Sequence, residues 1–228
     1  MDEQTPRTLN HFALLSFTDT YWSMNEHAKA GFHEHWLAGL SALATNFDIY
    51  QNTGGNAELL TWCAVNADEE CATSDYFEKW ATITTPYRHL MRPLDSLWGY
   101  TRPSQYSEAG LSAQVIDPLA TTRANYLVIH PFARTNEWYA LSQDDRQAMM
   151  EEHMRVGEKY AEIKKLVLYS TGIQDHEFVV VCETDDLPRF SELVMELRGT
   201  RARKYTLKEA PVYTAVYHPA AQTLALWK

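Results

Sequence analysis

Apolar and polar positions change period along this chain in an order that occurs twice. Residues 10–17 (NHFALLSF) and 126–132 (YLVIHPF) are apolar runs with strand character. A helical spacing follows each: Phe32, Trp36, Leu40 and Leu43 within 24–43, then Met149, His153, Val156 and Tyr160 within 142–160. Ser142 with Asp145 resembles a capping box and sets the start of the second helix. Residues 47–69 and 166–187 each read as strand, glycine turn, strand and acidic helix start. Both halves then offer an amphipathic helix, over 74–80 extending toward Leu90 and over 187–197, and a last strand, over 96–106 and 204–217.

Each half therefore reads as βαββαβ, the ferredoxin-like unit. The expected organisation is an N-terminal repeat over 8–106, a small and polar linker over 107–123 that contains Pro118, and a C-terminal repeat over 124–218. Two such sheets laid side by side, with helices outside, bury more apolar surface than either half alone. The predicted fold class is α+β, with two ferredoxin-like βαββαβ repeats forming a dimeric α+β barrel within one chain. A repeat of this kind specifies architecture and leaves chemistry open.

Composition narrows the partners. With 228 residues, 45% hydrophobic and 22% charged, the chain has the make-up of an ordinary globular protein with a sizeable core. Its 30 acidic against 20 basic residues, a net charge of -10, argue against nucleic acid or an anionic membrane, and favour a small or cofactor-type ligand. Residues 1–9 carry acids and a proline before any apolar run, unlike a signal peptide, and no apolar run reaches the ~18 residues of a membrane span. Three widely spaced cysteines, Cys63, Cys71 and Cys182, lack CxxC spacing, and a reducing cytoplasm is the simplest setting. Cys63 and Cys182 fall at equivalent places in the two central strands, so both read as buried small side chains.

Local chemistry is sparse. His153 lies on the apolar stripe of its helix, where an imidazole needs a hydrogen bond or a metal to offset burial. From spacing alone, a satisfied core or groove histidine is the simpler reading. His27, His33 and His35 form a histidine cluster, but His33 and His35 diverge by roughly 200° on a helix, so these two cannot share an ion. The NTGG stretch from Asn52 lacks phosphate-loop spacing and reads as a turn.

Residues 130–187 change that balance, because they resemble the central segment of the chlorite dismutase family, which includes the coproheme decarboxylases. In that family a strand ending in Tyr-Pro leads to a basic residue, a Trp-Trp or Trp-Tyr pair, a helix begun by Ser or Pro, the haem-ligating His, a Gly turn and an acidic pair. The corresponding residues are His130-Pro131, Arg134, Trp138-Tyr139, Ser142, His153, Gly172 and Asp185-Asp186. Weaker likeness over 197–216 and 95–106 brings the covered share to about half of the chain. The resemblance implies haem b or coproheme, with His153 as the proximal iron ligand and Arg134, Trp138 and Tyr106 around the porphyrin. It also implies a small-molecule oxidant and a homo-oligomeric ring, often a pentamer.

Three positions depart from the family pattern. The Tyr that one large group of coproheme decarboxylases uses as a radical-forming residue is His130, which would instead serve as a distal acid–base group if it faces the pocket. The distal position falls at Lys165 counted back from Gly172, or at Leu166 counted forward from His153; Lys165 is favoured because a cation steers an anionic oxidant. The acid that partners the proximal histidine falls near Ala202, between Arg201 and Arg203, so a carboxylate is missing there. The resemblance leaves open a haem oxidoreductase acting on peroxide or a small oxyanion, a coproheme decarboxylase, and a haem carrier or sensor without turnover. A haem-free monooxygenase with duplicated ferredoxin-like architecture is a further alternative.

Overall fold

The computed structural model describes residues 7–106 and 115–228. Contacts divide the chain into two compact units. One takes the described residues through Thr101 with Asp117–Arg123 and Tyr213–Lys228; the other takes those of Arg102–Ile116 with Ala124–Val212.

The first unit runs β1 (Thr8–Phe17), α1 (Asp19–Trp22), α2 (Glu26–Leu43), β2 (Asn46–Asn52), β3 (Leu59–Asn66), α3 (Ala72–Thr84) and β4 (Met91–Tyr100). Its strands pair antiparallel in the order β4-β1-β3-β2. Asn25 starts α2 by accepting the Ala28 N–H at 2.9 Å. The predicted stripe of Phe32, Trp36, Leu40 and Leu43 is the face that enters the core, where each such side chain contributes ~1.5–3 kcal/mol. His11, fully buried, is held between Tyr76 Oη and Ser96 Oγ, each 2.9 Å away. His33 lies 2.9 Å from Tyr21 Oη, and His35 Nδ1 lies 2.6 Å from the Gly31 carbonyl.

The second unit repeats the pattern with β5 (Tyr126–Arg134), α4 (Asn136–Ala140), α5 (Gln143–Glu158), β6 (Lys164–Tyr169), β7 (Phe178–Thr184), α6 (Leu187–Arg198) and the three-residue β8 (Thr206–Lys208). Its antiparallel order is β6-β7-β5-β8, so the fold is α+β and built from two ferredoxin-like repeats. Ser142 Oγ accepts the Asp145 N–H at 3.1 Å and donates to Asp145 Oδ2 at 2.7 Å, forming the predicted cap of α5. Gly55 and Gly172, at φ of +71° and +78°, occupy equivalent turns between the central strands.

Two expected strands differ in extent. The run 204–217 is broken into a 3-10 turn, β8 and β9 (Tyr213–Tyr217), because Pro211 has no N–H for a ladder. β9 is hydrogen-bonded to β2, with Gln51 opposite Val216, and α7 (Ala220–Ala225) follows it. The strand expected over 96–106 begins earlier, at Met91, and ends at Tyr100, short of Pro103. Of the expected linker, 107–114 lie outside the described residues, while Asp117–Arg123 are tied to the first unit. Arg123 Nε meets Asp48 Oδ2 at 2.8 Å, its guanidinium covers Trp62 at 4.4 Å, and it donates to the carbonyls of Asp117 and Pro118 at 3.0 Å each. No helix among the described residues is long and apolar enough to cross a membrane.

Candidate functional site

All six residues singled out by the sequence, Tyr106, His130, Arg134, Trp138, His153 and Lys165, lie in the second unit. Strand register decides which of them share a face. Val128, Val180 and Cys182 pack against Tyr160, Leu193, Val156 and Phe190, so they point toward α5 and α6. Residues directly opposite in a sheet lie on the same face. Three rows therefore look toward the helices: Lys165-Cys182-Val128, Val167-Val180-His130 and Tyr169-Phe178-Phe132. Ring contacts of 4.8 Å between Phe132 and Phe178 and 5.4 Å between Tyr169 and Phe178 agree with the third row.

The same alternation puts the two neighbours at the expected distal position on opposite faces. Leu166 stands opposite Val181 on the other face, in the core, whereas Lys165 shares the face of His130. Val167 is 39% exposed although its row partner Val180 packs beneath the helices. At Val167 the described residues thus leave this apolar face partly open.

His153 sits on α5, half-buried, and its charge environment involves Lys165 and Arg134. Burial first, and then those two cations, push its pKa down to about 4, so the ring is neutral near pH 7 with a lone pair available to a metal. Among the described residues none hydrogen-bonds the ring. Arg201 is engaged by Glu152 at 2.6 Å and Arg203 by Glu209 at 3.0 Å, with the buried Ala202 between them. No group of three or more His, Cys, Asp or Glu among the described residues is arranged to hold a bare metal ion. A single neutral imidazole beside cations and a partly open apolar face suits an iron that arrives within its own macrocycle.

Arg134 ends β5 and turns its guanidinium over Trp138 at 4.4 Å and Phe132 at 5.3 Å. It donates to the Ala202 carbonyl at 3.0 Å and more weakly to Thr206 Oγ1 at 3.4 Å, while Nη2 lies 3.8 Å from Met150 Sδ. Trp138, Met149 and Ala202 form a small buried cluster with Tyr106 packed against it, and the Tyr106 carbonyl accepts from Gln147 at 3.4 Å. The structure thus brings His153, Arg134, Lys165, Trp138 and Tyr106 into one neighbourhood.

Two carboxylates escaped the sequence reading. Glu209 Oε1 lies 3.7 Å from His130 Nε2 while its Oε2 takes Arg203. Burial is the main influence lowering the His130 pKa, opposed by Glu209 and aided by Arg203. Glu177 Oε2 accepts the Arg134 backbone N–H and the Tyr139 hydroxyl, each at 2.8 Å, and burial together with this carboxylate raises the Tyr139 pKa. Neither carboxylate sits on a periodic stripe; only strand pairing places them. Lys165 Nζ reaches α5 at Gly157, where a Cβ would come within 2.7 Å of it.

Comparison with known proteins adds a lineage to this geometry. The sequence model of the chlorite dismutase family matches residues 14–218. A coproheme decarboxylase from Mycolicibacterium smegmatis is 26% identical over 160 residues, which are 70% of this chain and 66% of the relative, just under two thirds of its length. A substituted chlorite dismutase from Candidatus Nitrospira defluvii aligns with a TM-score of 0.84 at 19% identity, covering 96% of this chain and 95% of that one. The imidazole complex of the chlorite dismutase from the same organism aligns with a TM-score of 0.80 at 16% identity, over 96% and 94% of the two chains. At these identities the structural likeness concerns the fold.

Proposed function

The chain belongs to the chlorite dismutase family, and from that membership we propose that it is a haem-dependent oxidoreductase acting on a peroxide or small oxyanion, with iron held by His153. Members of the family bind haem b or coproheme. The observation that carries the reading is the half-buried His153 imidazole, neutral near pH 7 and without a hydrogen bond from any described residue, beside a strand face that carries Lys165 and His130. Bound haem would supply the redox chemistry of an iron that His153 would hold and that a small oxidant could reach.

The residues divide the remaining work. Arg134 would pair a carboxylate of the bound haem, and Trp138 and Tyr106 would supply an apolar edge beside it. Lys165 places a cation on the helix-facing side, where it attracts an anionic oxidant and opposes protonation of His153. Burial lowers the pKa of Lys165 itself. His130, on the same face, exchanges the oxidant's proton. With no carboxylate partner among the described residues, His153 would be a weaker electron donor to iron than an imidazole paired with an acid.

The Mycolicibacterium smegmatis relative favours a second reading, coproheme decarboxylation, in which peroxide drives conversion of two propionates to vinyls. His130 in place of the family's tyrosine weighs against the version that depends on a tyrosyl radical. As in the family, we infer a ring of identical subunits, a pentamer, working in the cytoplasm; light scattering measures the subunit number.

The test is titration of haem b and of coproheme into wild type and His153→Ala, followed by Soret absorbance. One haem per chain in wild type and loss of the imidazole-ligated spectrum in the variant support the assignment. Turnover with peroxide or chlorite, and the mass of the porphyrin extracted after peroxide, separate the two reactions. Haem binding without turnover would make the protein a carrier or sensor; no binding to either form would end the haem reading and turn the search to organic ligands.

A further inference from the structure

His130 is not a lone imidazole on a sheet. Its Nε2 lies 3.7 Å from Glu209 Oε1, an ion-pair contact longer than a hydrogen bond. The other carboxylate oxygen is gripped by Arg203 Nη2 at 3.0 Å, which fixes the orientation of the group. Exposure rises stepwise along this chain, from 14% at the His130 side chain to 28% at Glu209 and 34% at Arg203. The trio therefore runs from the helix-facing sheet surface toward solvent.

The elements supplying it are short but well anchored. Glu209 follows β8, whose Thr206 and Lys208 pair with Arg134 and Ala133 of β5, while Arg203 lies in the 3-10 turn just before β8. Both residues thus reach His130 through backbone that is hydrogen-bonded to His130's own strand. Across the row, Val180 and Val167 are uncharged, leaving Glu209 and Arg203 as the charged groups acting on the ring.

We propose that Glu209, oriented by Arg203, is a positioning residue and proton outlet for His130. A carboxylate facing Nε2 favours the tautomer with hydrogen on that nitrogen and leaves Nδ1 as the acceptor. No hydrogen bond among the described residues engages Nδ1. Once the pair closes from 3.7 Å to hydrogen-bond distance, the proton taken at Nδ1 from a peroxide hydroxyl is balanced by the one released from Nε2 to Glu209 Oε1, and from there to water, so the imidazole ends neutral in the other tautomer. This inference rests on the role given to His130 above, and its first readout needs no haem.

The experiment is a histidine-resolved NMR titration of the full, ligand-free chain in wild type, Glu209→Gln and Arg203→Gln. Removing the carboxylate weakens the proton affinity of His130 by roughly tenfold, as expected for the loss of one nearby opposite charge. Removing the guanidinium moves the affinity the other way. In haem-loaded protein, the acid limb of the peroxide rate moves in the same directions. A His130 titration and tautomer unchanged in Glu209→Gln overturn the inference, whether or not haem binds. Shifts of opposite sign in the two variants with no haem uptake leave the pairing standing and refute the haem reading instead.

Discussion

Replacing Arg134 with Met keeps much of the side chain's bulk and removes its charge and donors. The charged hydrogen bond to the Ala202 carbonyl, at 3.0 Å, is worth ~1.5–3 kcal/mol, and stacking on Trp138 at 4.4 Å adds about 1 kcal/mol. Against these stands the desolvation of a half-buried cation, which lowers the Arg134 pKa and takes back part of that gain. The balance is a loss of about 1–3 kcal/mol in the ligand-free chain, read from urea unfolding. Haem responds separately. Nε of Arg134 meets no acceptor among the described residues, so a porphyrin carboxylate can pair there, and losing that pair weakens haem affinity by roughly 10- to 100-fold. A Soret titration measures it. If stability falls while haem affinity stays within about twofold of wild type, Arg134 is a strut between β5 and the Ala202 turn, and its cofactor role is refuted.

Other outcomes follow from the same geometry. Leu166→Ala, on the core face of β6, costs ~2–4 kcal/mol of stability without altering the reaction with an anionic oxidant; Lys165→Ala slows that reaction and flattens its salt dependence, and a slowed reaction in Leu166→Ala would contradict the face assignment. His11, whose pKa burial lowers to about 3, is protonated in the unfolded chain but not in the folded one between pH 6.5 and that value. Stability present above pH 6.5 is therefore lost on acidification toward about pH 3, with His11 contributing up to ~1.4 kcal/mol per pH unit, a slope absent from His11→Gln when unfolding is followed against pH. Asp48→Ala strands the guanidinium of Arg123 and costs ~3–5 kcal/mol in urea unfolding; a loss under about 1 kcal/mol would mean that the carbonyls of Asp117 and Pro118 suffice to hold Arg123.

Much of the candidate site was legible because its members lie close in sequence or at helical spacing. Arg134 and Trp138 are four residues apart at the end of β5 and the start of α4, and His153 sits on a stripe started by the Ser142 cap. Counting along the chain left Lys165 and Leu166 as alternatives, because a one-residue difference in loop length moves the count without changing its pattern. Register separates them, since successive strand residues face opposite ways. Glu209 and Glu177 were invisible for a related reason. Each lies in a short connection with no period of its own, and acquires a partner only when β8 or β7 pairs with β5.

The sequence by itself determined the two βαββαβ repeats, the helix starts and the glycine turns, since these depend on local periodicity, side-chain capping and the steric freedom of glycine. Tertiary structure decided the rest. It divided residues 204–217 into β8 and β9, hydrogen-bonded β9 to β2, turned Lys165 toward α5, and set Glu209 between His130 and Arg203. Those outcomes turn on long-range hydrogen bonding and on which polar groups lose water together, quantities that belong to pairs of distant residues and that no run of neighbouring residues encodes.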